Sequence, residues 1–230
     1  MVTPNPNPTG DTPASSSELI PRSAKRVKIA PSLSDVHHEM VTIIIKSDLP
    51  DKPDRKHPIY KNITCYHSPV LDKAFNGPFI EGQTQVMTID DIRNPVTFGA
   101  IQSWIYTQKK DGWKEAWGDN YHVKLYQLWV LADRLIMPTL HNEMMTSLME
   151  TRRIPLHSLG WIYKNTLPES KLRSFLSDWC AKFKTWKNKN TLLAADVLAE
   201  LLLDTLFAQL RAVLLTMENM KAANYFVAVD

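Results

Sequence analysis

The chain has 230 residues, room for one or two domains, and 44% of them are apolar, enough to fill a core. A net charge of +3 is too small to argue globally for a nucleic-acid partner. The two cysteines, Cys65 and Cys180, form no CxxC pair, which removes a zinc ribbon or a thioredoxin-type site and leaves two buried thiols as the reading.

Residues 1–35 are rich in Pro, Asn, Ser and Thr. Such a segment cannot bury enough apolar surface to offset its ordering entropy, so a disordered tail is expected. Its start, MVTPNPNPTG, lacks the basic and apolar regions of a secretory signal. Further on, PRSAKRVKIAP sets Lys25, Arg26 and Lys28 between prolines. This cluster is similar to a monopartite nuclear import signal, whose extended chain lays alternate cations into the acidic grooves of an import receptor. A solvated basic patch is the alternative. The nucleus is the expected location, with the cytoplasm as the alternative.

Met40 to Ile45 is a β-branched run and predicts the first strand. SDLPDKPDRKHP predicts a polar, Pro-rich connection. His57 to Tyr60 returns as a second strand, which Pro58 confines to an edge or a strand start. Then come a short apolar helical turn and Ser68-Pro69. Ser68 is suited to cap a helix, and Pro69 to occupy its first position. Val70, Leu71, Ala74 and Phe75 share one face of that helix. Asn76-Gly77-Pro78 predicts its end, with Gly77 taking a left-handed cap conformation. Val86 to Ile89 predicts the third strand.

Asn94 and Pro95 predict the start of a helix with Phe98, Ile101 and Ile105 on one face and Ala100 and Trp104 beside it. TQKKDGWKEAWGDN predicts a polar loop carrying Trp113 and Trp117. Leu125, Leu128, Ala132, Leu135 and Ile136 mark an amphipathic helix, and Pro138 opens another that runs toward Glu150. After Pro155, Leu159, Ile162 and Tyr163 form one helical face. Leu172, Phe175, Leu176, Trp179, Cys180 and Phe183 form a second. A final helix is expected from near Thr191. The apolar stretch from Leu192 to Met217 is interrupted by Asp196, Glu200, Asp204 and Arg211, so a buried helix is expected there and not a membrane span.

No chemistry stands out. The seven histidines show no metal-ligand spacing, and GxSxG and phosphate-cradling glycine loops are absent. We therefore expect no enzyme, no cofactor and no metal. Lys182, Lys184, Lys187 and Lys189 alternate with Phe183 and Trp186, a pattern able to neutralise phosphates and stack bases. The favoured reading is a helix C-terminus, where cations complement the macrodipole while Phe183 and Trp186 pack inward.

The central string Ile59, Lys61, Ile63, Ser68, Pro69, Ala74, Phe75, Asn76, Gly77, Phe79 and Glu81 resembles a BTB/POZ domain of the filamentous-fungal type. Trp104-Ile105-Tyr106 and Leu131-Ala132-Asp133 with Leu135 extend the likeness, and Tyr60 stands where the family usually has His. The resemblance implies an α+β fold, a helical cluster capped by a small mixed sheet. With it go a disordered tail at 1–35, a BTB/POZ domain at 36–151 and an all-helical C-terminal extension at 152–230, docked on that domain. It implies a non-catalytic module for protein–protein interaction: a homodimer, a transcriptional assembly or an adaptor for a cullin ubiquitin ligase. PSLSDVHHEM and the Pro-rich tail stand where strand-swapped dimers need an ordered helix and strand, which argues against that form. Cullin adaptors of the family often use an apolar-x-Glu motif after the Trp-x-Tyr helix. Trp113-Lys114-Glu115 fits it, with Tyr106 just before the loop. The alternative is that Trp113 and Trp117 only anchor the loop. A different class of function, a nucleic-acid-associated transcriptional regulator using the two basic segments, and a degraded metabolic enzyme with a deep polar pocket are the rivals.

Overall fold

The computed structural model describes residue 1 and residues 30–32, 34, 39–47, 53–90, 95–154, 156–183, 199–211 and 221–229. Lys25, Arg26, Lys28, the Asn94 cap, the cations 184, 187 and 189 with Trp186, and the helix start near Thr191 lie outside the described residues.

Three strands make a small mixed sheet: β1 (Met40–Ile45), β2 (Arg55–Tyr60) and β3 (Val86–Ile89), in the order β2-β1-β3. β1 and β2 run antiparallel, with Ile43 opposite His57, while β3 runs parallel to β1, with Thr42 opposite Val86. Period-2 alternation turns Val41, Ile43 and Ile45 inward. Pro58, which has no N–H to give, lies on the edge strand β2 as expected. The parallel pair needs a crossover. Helices α1 (Lys61–His67), α2 (Pro69–Asn76) and α3 (Ile80–Thr84) supply it.

Ser68 joins the first two of these. Its hydroxyl oxygen accepts from the Leu71 N–H at 3.2 Å, as a cap should, and Pro69 holds the first helical position. The same hydroxyl donates to the Leu135 carbonyl at 2.6 Å. Gly77 ends α2 in an extended conformation (φ −88°, ψ 179°), not the left-handed one expected. Space explains the glycine: a Cβ there would lie 2.2 Å from the Lys73 carbonyl oxygen. The left-handed cap comes later, at Gln85 (φ 55°), at the end of α3. That five-residue helix occupies a place where the sequence suggested only a run into the third strand.

α4 (Pro95–Thr107) buries Phe98, Ala100, Ile101, Trp104 and Ile105. The expected polar loop after it contains a helical turn, α5 (Trp113–Trp117), followed by a 3-10 turn at Gly118–Asn120. Both tryptophans are buried. α6 (Tyr121–Arg134) is the central helix. Leu125, Tyr126, Leu128, Trp129, Val130, Leu131 and Ala132 are all buried, so it is enclosed on most sides rather than amphipathic. Leu135 is buried too, but Ile136 is not part of the face: it takes a left-handed conformation (φ 50°) and is 55% exposed. That turn redirects the chain into α7 (Pro138–Thr151).

Among the described residues the remaining α-helices are α8 (Leu159–Lys164), α9 (Lys171–Phe183) and α10 (Ala199–Arg211). A 3-10 turn at Ala222–Tyr225 brings the chain back against α7 and α9. One continuous apolar core runs from Val41 on β1 to Tyr225 in this last segment. Phe183, expected on the inner face of α9, is exposed and stacks on Trp179 at 4.3 Å. α10 departs further from expectation. Only Leu201, Thr205 and Ala208 turn inward, and Leu202, Leu203, Leu206 and Leu210 face outward. The helix is therefore not buried. Among the described residues no helix is long and apolar enough to cross a membrane.

Candidate partner-binding face

The end of α4, the α5 turn and the adjoining sides of α6 and α7 form one surface. Trp104 fixes α4 to α7, its indole N–H donating to Glu143 at 3.1 Å. One helical turn on, Gln108 ends α4 in a left-handed conformation, and its side-chain amide donates to the Trp104 carbonyl at 3.0 Å. The Tyr60 backbone N–H donates to the Tyr106 hydroxyl at 3.0 Å, and the two rings meet edge to face at 6.0 Å. Burial pushes the Tyr106 phenol above its ordinary range.

The α5 turn is seated by aromatic packing. Trp113 lies 5.3 Å from Trp117, Trp117 lies 6.0 Å from Tyr121, and the Lys124 ammonium stands 5.3 Å over the Trp117 ring. Lys110 donates to the Ser147 hydroxyl at 2.8 Å and ties the preceding loop to α7. Tyr121 is raised first by burial, then by the carboxylates of Glu150 and Glu115, while a hydrogen bond with Ser147 opposes them. Beside this lies an open cleft lined by Ser103, Thr107, Lys109 and Asp111.

The three residues picked out in the sequence have separate fates. Tyr106 is half-buried and engaged with β2, Trp113 is buried, and only Glu115 of the three is exposed. The Trp113 indole is buried and packs on Trp117. The motif residues near Ser68 divide in the same way. Phe75 is in the core, and Ala74 and Glu81 are half-buried. Pro69, Asn76 and Phe79 are exposed, with the Asn76 amide donating to Asp72 at 2.8 Å. Phe79 and its neighbour Ile80 put apolar surface into water at the start of α3.

Among the described residues no three metal-ligating side chains converge. Cys65 and Cys180 are both buried and are not joined in a disulfide. His67 packs edge-on to Trp104 at 5.5 Å, and burial holds its imidazole below the usual value. Sequence reading missed the long-range partners: Gln102, whose amide donates to the Pro58 carbonyl at 2.7 Å, and Asn142, which bonds the backbone of Val227. A single polar residue on a helix carries no local signal of a partner dozens of residues away. No family model matches the chain, and no curated protein matches it.

Proposed function

We propose that the chain is a non-catalytic protein-interaction module of the BTB/POZ type, working in the nucleus as an adaptor or scaffold. The observation that supports this reading is local. The Ser68-Pro69 string falls between two short helices that cross over from a β-hairpin to a strand parallel with the first. Recruitment of a cullin ubiquitin ligase is the adaptor role the α5 surface suits best, because Glu115 offers an exposed carboxylate on a turn held rigid by Trp113 and Trp117. Rigid presentation lowers the ordering entropy a partner must overcome.

The test is a pull-down of the full chain with the N-terminal half of the host's cullin. Glu115→Arg is the informative variant, because it reverses an exposed charge without opening the core. Capture by wild type and its loss in Glu115→Arg is the expected result. No capture by wild type removes the adaptor role, and equal capture removes Glu115 from it. The nuclear location is tested separately with a fluorescent fusion too large for passive entry. Replacing Lys25, Arg26 and Lys28 together with Ala is expected to leave it in the cytoplasm.

A further inference from the structure

The last described segment lies across α7 and α9 in a manner unlike the other inter-element contacts. After the 3-10 turn Ala222–Tyr225, the chain at Phe226 is extended (φ −77°, ψ 149°). Asn142 on α7 then meets the backbone of Val227 with both ends of its amide. Its Nδ2 donates to the Val227 carbonyl at 2.9 Å, and the Val227 N–H donates to its Oδ1 at 2.8 Å. A side-chain amide paired in this way reads an extended backbone and not a side chain. Two residues earlier, the Tyr225 ring is only 4% exposed and meets Phe175 of α9 edge-on at 5.5 Å. Its hydroxyl donates to Asp178 at 3.0 Å.

We propose that the groove between α7 and α9 is a recognition site for an extended peptide bearing Tyr followed two residues later by an apolar residue. Its own segment Asn224–Val227 fills the site in cis and competes with such a peptide from a partner protein. Phe175 and Asp178 select the tyrosine, one by ring packing and the other as acceptor for its O–H, and Asn142 fixes the strand direction. Phenylalanine would leave the Asp178 acceptor without that donor. Among the described residues the cis occupant is held by the buried Tyr225 ring, by Phe226 packed against the core and by its hydrogen bonds with Asn142 and Asp178, contacts that a peptide of the same pattern would reproduce.

The experiment uses the full chain and a fluorescein-labelled peptide with the sequence of residues 221–229, read by anisotropy. Tyr225→Ala empties the aromatic pocket without touching the groove. It is expected to bind the labelled peptide about tenfold or more tightly than wild type, because the competent state is no longer occupied in cis. Adding Asn142→Ala, or using a peptide with the tyrosine replaced by Ala, is expected to abolish that binding. Circular dichroism and a melting curve confirm folding. Where Tyr225→Ala does not fold, Val227→Pro loosens the cis segment by removing the N–H that Asn142 accepts, and a smaller but measurable gain in peptide binding over wild type is expected. A folded variant that binds no peptide, or binds the Ala peptide equally well, overturns the proposal. A wild-type dimer that Tyr225→Ala dissolves overturns it as well, since the occupant is then a second copy of the chain.

Discussion

α6 and α10 are helices of similar length with opposite relations between composition and burial. α10 carries five leucines in thirteen residues, and α6 carries three in fourteen. Yet α6 buries seven of its residues in the core, and α10 buries Leu201, Thr205 and Ala208. The reason is placement. α6 has α7 along one side and α4, α5 and α8 around it. Among the described residues α10 packs chiefly on α9, and polar pins from α9 and α8 hold it there. Arg173 donates to Glu200 at 2.7 Å, and Tyr163 donates to Asp204 at 3.0 Å. Apolar content sets how much surface a helix could bury, and the number of neighbouring layers sets how much it does.

The contrast breaks most readily in the core. Leu128→Ala, at a fully buried position on α6, is expected to cost about 2–5 kcal/mol through lost transfer energy and the cavity left behind. Urea denaturation reads it directly. A cost under about 1 kcal/mol would mean that α6 is not enclosed as described.

The next effect depends on pH. His141 of α7 is 1% exposed, and its ring centroid lies 3.8 Å from that of Trp129 on α6. Among the described residues neither ring nitrogen has a hydrogen-bond partner. Asp133 Oδ1, at 3.6 Å and on a half-exposed side chain, is too distant and too well solvated to offset the loss of water around a charged ring. Burial thus lowers the imidazole from 6.5 to about 4. Between those values the unfolded chain binds more protons than the folded one. The contribution of His141 is therefore fully present above about pH 6.5 and is lost as the pH falls toward 4, on the order of 2–3 kcal/mol in all. His141→Phe is expected to flatten that part of a stability-versus-pH curve, and an unchanged slope would place the acid sensitivity elsewhere.

Smaller still is the loss of the pin at the outer helix. Arg173 is buried and also donates to the Thr166 hydroxyl at 3.1 Å, the Thr166 carbonyl at 2.6 Å and the Tyr163 carbonyl. Arg173→Met is expected to cost about 1–3 kcal/mol, since it leaves buried carbonyls unpaired. Amide exchange should quicken in α10 and α9 while α6 keeps its protection. Uniform quickening would mean that α10 folds as one unit with the core. Last comes Leu206→Ala on the outer face of α10, at 51% exposure. Its expected change is within about 0.5 kcal/mol, the surface counterpart of Leu128→Ala. A loss approaching that of Leu128→Ala would erase the distinction between the two helices.

What was legible in the sequence was local. The cap at Ser68, the first turn at Pro69, the β-branched run of β1 and the inner faces of α4, α8 and most of α9 depend on residues within a few positions of one another. The failures share a cause. Ile136 fits the α6 spacing and is expelled by a left-handed turn just beyond the helix. Gly77 is needed because the Lys73 carbonyl passes close by, not for its backbone angle. α3 and α5 are five residues each, too short to establish a period. The face of α10 that meets α9 could not be told from the face that meets water, because both are apolar. At the candidate interface, the spacing of Trp113 and Glu115 was visible, but which of them points inward was decided by Trp117, Tyr121 and Lys124.

Ser68 carries an implication for how the chain is made. Its cap bond to Leu71 spans three residues, and its bond to Leu135 spans 67. During synthesis from the N-terminus, the β1–β2 pairing and the capped start of α2 can form early, because those pairings are near in sequence. The second bond of the same hydroxyl waits for α6 to be complete. Until then the α2 segment is a helix with its start defined and its seat against the end of α6 still open.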